Sequence, residues 1–154
     1  MPDVSIVIVN YNTREPLRRC LQAIQVEHGD LDVEVIVVDN ASKDNSAAMV
    51  RDVMPEAIVV EPGKNTWFSG GNNIGFQRAT ADVIYILNAD TRLQPNGLQT
   101  MLAYLKAHPK VGAVTCRIRI HCVRTNVNEA ERNLRPRNNV AAILGSDEGI
   151  NVGD

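Results

Sequence analysis

At 154 residues, with 44% hydrophobic and 22% charged residues, the chain has the composition of one globular domain with a substantial core and is too short for two. Its net charge of −2 supplies no general attraction to nucleic acid or to an anionic membrane, so neither is expected as a partner. The first residues show no basic, apolar leader, no run is long enough to span a bilayer, and Cys20, Cys116 and Cys122 lack Cys-x-x-Cys spacing; a cytoplasmic chain without transmembrane segment, disulfide framework or zinc site is predicted.

Residues 4–9 are almost continuously apolar and β-branched, the pattern of a central parallel strand covered on both faces, and they run into Asn10-Tyr11-Asn12-Thr13. Pro16 suits a helical first turn, and Leu17, Cys20, Leu21 and Ile24 recur at three and four, which predicts a helix ending near His28-Gly29. Residues 34–38 form the second strand, ending in Asp39-Asn40-Ala41-Ser42. Ser42 or Asp44 can cap the next helix, which Pro55 stops. Residues 57–60 read as a short strand near a sheet edge, opening into a loop over 61–68. Ser69 is the predicted cap of a glycine-rich helix reaching Ala79, in which each glycine costs about 1 kcal/mol relative to alanine. Close approach to a ligand, ahead of packing against another element, is the expected reason for Gly70, Gly71 and Gly75. Residues 83–87 form a fourth strand ending in Asn88-Ala89-Asp90-Thr91, a helix covers 96–108, and residues 111–120 supply one more strand. Beyond it the apolar periodicity weakens. Residues 1–120 are therefore read as the domain and 121–154 as an atypical polar segment, flexible from Gly145 onward.

The alternation of strands and helices predicts an α/β fold with a mostly parallel sheet and right-handed crossovers. Parallel strands aim their carboxyl ends at one edge, where ligands bind, so the three polar clusters describe one site. Asp39 can accept hydrogen bonds from a base or ribose, and Asn10, Asn12 and Thr13 offer donors and acceptors beside it. Asp90 is a hard oxygen donor for Mg2+ or Mn2+ that would also bind a diphosphate, although a cap or turn role is commoner for a lone aspartate. No Gly-x-Gly-x-x-Gly, no Gly-Lys-Ser/Thr phosphate loop and no Gly-x-Ser-x-Gly is present, which removes the main signals of dinucleotide oxidoreductases, P-loop enzymes and α/β-hydrolases. His28, His108 and His121 fall near element ends, where solvated positions are the rule.

Together, residues 4–12, 37–44, 70–75 and 87–91 resemble the family 2 glycosyltransferases of the Rossmann-like GT-A fold, nearest a rhamnosyltransferase-like branch. The resemblance covers roughly residues 3–116 and implies that the chain contributes the nucleotide-sugar-binding part, truncated after that half. It assigns Asn10, Tyr11, Asn12, Thr13 and Asp39 to the nucleobase and ribose of a dTDP-, UDP- or GDP-sugar, with Lys64, Asn65, Asn72 and Asn73 bordering the pocket. Asn88-Ala89-Asp90 stands where the family has Asp-x-Asp, which makes Asp90 the metal-binding carboxylate for Mg2+ or Mn2+. The implied reaction is inverting transfer of the sugar to a hydroxyl of a glycan or lipid-linked acceptor. Trp67 stands where the family commonly has glycine, with coverage of the sheet edge as its alternative role. The family's acceptor region and general base lie downstream of the metal motif, and no family pattern is visible after Ile120, so the catalytic residue is unassigned. The competing readings are a non-catalytic nucleotide-binding or assembly module, with a homodimer covering an exposed edge, and less favoured, a nucleotidyltransferase.

Overall fold

Each β-branched run becomes a strand and each amphipathic stretch a helix in the part of the chain that the structure, a computed structural model, describes: residues 1–116 and 142–145. The order is β1 (Val4–Asn10), α1 (Arg14–Glu27), β2 (Val33–Asp39), α2 (Ser46–Val53), β3 (Ile58–Val60), α3 (Trp67–Phe76), β4 (Val83–Asn88), α4 (Gly97–Ala107), β5 (Ala113–Thr115) and β6 (Ala142–Gly145). The sheet order is β3-β2-β1-β4-β6-β5. The strands β1 to β4 are mutually parallel, and β6 runs antiparallel between β4 and β5. As expected, the short β3 lies at a sheet edge.

Alternation along the central strands explains why the runs read as continuously apolar. Ile6, Ile8, Val35, Val37, Tyr85 and Leu87 join the core against α1, α2 and α4, while Val7, Ile36 and Val38 pack on the opposite side with Ile74 and Phe76 of α3. Both faces of the parallel sheet are thus covered. In the main core Leu17, Cys20, Leu21 and Ile24 of α1 are nearly inaccessible, as the three-and-four spacing predicts. Each aliphatic side chain buried this way contributes about 1.5–3 kcal/mol of transfer free energy. The chain moves outward from β1 to β2 and β3, then returns to β4 on the other flank of β1. The topological switch point therefore lies between β1 and β4.

Several boundaries differ from the sequence pattern. α2 starts at Ser46, after Asn45 in the left-handed region at φ 61°. Neither predicted cap takes the N-cap position, which Asn45 fills; Asp44 just before it accepts from the Ser46 amide at 3.1 Å, while Ser42 turns back toward β1. α3 begins at Trp67, so Ser69 lies inside the helix rather than capping it, because Asn65 takes the Trp67 amide at 2.8 Å and starts the turn earlier. Of the strand predicted over 111–120, the described residues form Ala113–Thr115, and residues 117–120 lie outside the described residues. Strand β6 falls in the segment read as polar. It pairs Ala142 to Gly145 with β4 and is short enough to leave little periodic signal. The remaining residues of 121–154, with His121 and Cys122, lie outside the described residues. No helix among the described residues is long and apolar enough to cross a membrane.

Candidate functional site

Register brings the three polar clusters side by side. Asn10 pairs with Asp39, and Val9 pairs with Asn88, so β2 and β1 end level and β4 ends one residue short of them at the carboxyl edge, across the switch point. Among non-glycine residues, positive φ recurs in the loops leaving this edge, at Asn12 (53°), Ala41 (60°) and Trp67 (60°). Strained backbone of this kind concentrates where a site over-determines the chain.

Asn10 and Asp39, both predicted to meet a nucleoside, form a braced pair. The Asn10 amide donates to Asp39 Oδ1 at 2.8 Å and to Ser42 Oγ at 3.1 Å, and its Oδ1 accepts from Thr13 Oγ1 at 2.6 Å. Asn10 is fully buried, so its amide is committed to the protein and holds Asp39 and Thr13 in place. Ser42 also donates to Asp39 Oδ1, and no described residue bonds Asp39 Oδ2. Asp39 is 3% exposed. One carboxylate oxygen is thereby held by the fold, and the other is without a hydrogen bond from the described residues. Asn12 bridges the two loops, its amide reaching Ser42 Oγ at 2.9 Å and its Oδ1 taking the Lys43 amide at 2.7 Å. Tyr11 projects from the same loop, half exposed.

At the end of β4, Asn88 accepts the Thr91 amide at 3.0 Å and closes a turn with buried Ala89. This turn leaves Asp90 exposed with no hydrogen bond or ion pair to a described residue. Beneath it, Cys20 of α1 approaches the Asn88 carbonyl at 3.8 Å. Burial pushes the Cys20 thiol up to about 12, with the Asp90 charge adding to the effect. The described residues hold no group of three or more His, Cys, Asp or Glu side chains able to cage a metal. A free carboxylate is nonetheless the donor set Mg2+ uses when substrate phosphates and waters complete its shell.

The third side of the edge is the start of α3, and its organiser is a residue the sequence motifs did not single out. Asn40, 2% exposed, receives the Thr66 amide at 3.2 Å and Thr66 Oγ1 at 2.7 Å on its Oδ1, and its Nδ2 donates to the Trp67 carbonyl at 3.1 Å. Its own amide bonds the Asn10 carbonyl at 2.8 Å. An asparagine after a strand-end aspartate is the only available signal, and it is indistinguishable from turn chemistry. Asn65 is used up in starting α3, whereas Lys64 and Asn73 are exposed without side-chain partners among the described residues. Asn72 donates to the Phe68 carbonyl at 2.9 Å and keeps a buried Oδ1 without a partner.

Packing against β1 accounts for two of the α3 glycines, Gly71 and Gly75. A Cβ at Gly71 would lie 2.8 Å from Val9 Cγ1, and one at Gly75 would lie 2.3 Å from Val7 Cγ1. The left-handed φ at Trp67 explains why glycine suits that position, and at 78% exposure Trp67 does not cover the sheet edge.

Known proteins share this arrangement. Uncharacterized glycosyltransferase alr2836 of Nostoc sp. is 31% identical over 119 residues, covering 72% of this chain and 35% of its own length. Succinoglycan biosynthesis protein ExoO of Rhizobium meliloti is 29% identical over 103 residues, covering 66% of this chain and 29% of its own length. This chain therefore spans about a third of the relatives it matches here. Among solved structures, the mannosyltransferase PcManGT from Pyrobaculum calidifontis, in complex with GDP-Man and Mn2+, superposes with a TM-score of 0.69 at 29% identity, over 77% of this chain and 36% of that one. S. aureus TarS 1-349 in complex with UDP-GlcNAc, at 18% identity and a TM-score of 0.64 over 71% of this chain and 32% of its own, shows the same fold. The parallel sheet with its switch-point edge is thus the GT-A fold. The pattern described as Glycosyl transferase family 2 matches residues 5–152, extending past Ile120 where no family pattern was visible. With that match spanning nearly the whole sequence, the chain belongs to glycosyl transferase family 2.

Proposed function

We propose that this edge binds a nucleotide-diphosphate sugar together with a divalent cation and presents the sugar for transfer, with inversion, to a hydroxyl of a glycan or lipid-linked acceptor. The observation that carries the proposal is that β2, β1 and β4 end within one residue of one another, which sets the free oxygen of Asp39 and the unpartnered carboxylate of Asp90 on one edge. Mannosyltransferase PcManGT, bound to GDP-Man and Mn2+, supports the same ligand pair here.

Asp39 Oδ2 accepts a hydrogen bond from the nucleoside, while Asn10 and Ser42 hold the carboxylate through its Oδ1. Asp90, with Asn88 shaping its turn, would hold the cation; Mg2+ and Mn2+ both suit an oxygen donor. When bound, the cation neutralises charge that develops on the departing nucleoside diphosphate. The acceptor hydroxyl and the base that takes its proton act from the opposite face of the sugar.

Calorimetric titration of UDP, GDP and dTDP, each with Mg2+, Mn2+ or chelator, tests the donor site. The expected result is cation-dependent affinity that Asp90→Ala removes and metal-independent nucleoside affinity that Asp39→Ala weakens. Binding that ignores both the cation and the Asp90 substitution would reject the assignment.

A further inference from the structure

Trp67 combines features that stability does not explain. Its φ of 60° places a bulky residue in the left-handed region, where such residues are outliers. It exposes 78% of its surface, and Phe68 beside it 56%, in a chain with 4% aromatic content. A strained, solvent-facing indole gains little by burial. Yet its backbone is held on both sides: Asn65 Oδ1 accepts from its amide at 2.8 Å, and buried Asn40 Nδ2 donates to its carbonyl at 3.1 Å. Backbone strain maintained by surrounding structure clusters at ligand-binding and other functional sites.

The fold also says which part of the ligand it meets. Along the carboxyl edge the strands run β3, β2, β1, β4, and Trp67 follows β3 and is tied to the residue after β2, whereas Asp90 follows β4. Strands lie about 4.8 Å apart, so β4 and β2 are about 10 Å apart across β1. A ligand anchored by its diphosphate at Asp90 and by its nucleoside at Asp39 crosses that span and ends its base at the β2 and β3 side, beside Trp67. A flat, exposed aromatic face there suits a flat, partly apolar base.

We infer, building on the donor-site assignment above, that Trp67 is a specificity-determining residue of this chain that stacks on the nucleobase of the nucleotide sugar. Asn40 acts through it as a positioning residue, holding the Trp67 backbone in its left-handed conformation.

Trp67 is the sole tryptophan in the sequence, so its fluorescence reports on this contact alone. Titrating the chain with GDP and Mg2+ should quench that fluorescence, and Mg2+ with inorganic pyrophosphate, which has no base, should not. Trp67→Gly should weaken GDP affinity about five- to hundredfold by calorimetry, the range of base–aromatic stacking. The same variant should melt no lower than the parent, because glycine relieves the positive φ. Trp67→Phe should retain most of the affinity, and Trp67→Leu should not. A pyrophosphate response equal to that of GDP would place Trp67 at the diphosphate and overturn the base assignment. Nucleotide affinity indifferent to Trp67→Gly would overturn stacking while leaving the donor site standing. No GDP, UDP or dTDP binding to the parent chain would reject the donor site itself.

Discussion

Replacing Gly75 by alanine should push α3 away from the sheet. A Cβ at position 75 would lie 2.3 Å from Val7 Cγ1 and 3.3 Å from Val7 Cγ2, well inside the roughly 3.5–4.0 Å of carbon contact. Val7 is fully buried and stiff about its first side-chain torsion, so it cannot swing aside. Overpacking of this kind costs about 1–3 kcal/mol, and alanine's better helix propensity returns up to about 1 kcal/mol. The net expectation is a loss of about 1–2 kcal/mol. Urea unfolding followed by circular dichroism measures it, with Gly97→Ala as the control. Gly97 opens α4, and a Cβ there meets nothing within 4 Å, so that change should be neutral or stabilising. The pair Gly75→Ala with Val7→Ala should cost less than the sum of the singles, because the new methyl fills space that Val7 vacates. If Gly75→Ala is as stable as Gly97→Ala, close packing is not the reason for glycine at 75.

Other substitutions separate bracing from binding. Asp39→Ala strands donors of Asn10 and Ser42 and should cost about 1–3 kcal/mol, whereas Asp39→Asn keeps an acceptor for them and should lower nucleoside affinity with a smaller loss of stability, as paired unfolding and calorimetry will show. Asn40→Ala removes the tie between Thr66, Trp67 and β2; it should weaken GDP binding in parallel with Trp67→Gly, and independence of the two changes in a double-mutant cycle would sever that link. At Glu34, burial alone would raise the carboxyl, but hydrogen bonds from Ser5 and Thr80 outweigh it and hold the group below its ordinary value of 4.5. The stability it adds is present above that value and lost as pH falls through the lowered folded value, so Glu34→Gln should flatten the acid limb of stability against pH. Cys20, buried with its thiol pushed up to about 12, should resist iodoacetamide in the native chain and react in urea, as peptide mapping would show; native labelling as fast as at exposed Cys116 would contradict that burial.

Most of the framework was legible because its signals are local. The runs over 4–9 and 34–38 and the helix stripe Leu17, Cys20, Leu21 and Ile24 required only periodicity, and their apolar residues other than Val9 became core. Two kinds of feature were not legible. Strand β6 is too short for a pattern and exists through its pairing with β4 and β5. The glycines of α3 carried a true signal of close approach, but sequence does not state what approaches; the partners are Val7 and Val9, about sixty residues or more upstream.

The same division runs through the candidate site. Strand-end position marked Asp39 and Asp90 from sequence alone, because parallel strands deliver their carboxyl ends to one edge whatever the details of packing. Only the tertiary structure separated the bracing amide of Asn10 from the Asp39 oxygen that no described residue bonds, since that depends on hydrogen bonds to Thr13 and Ser42. It alone joined Asn40 to Trp67, across a loop that closes 27 residues on. Periodicity determines which residues face the core; which polar groups remain for a ligand is decided by the partners that folding supplies.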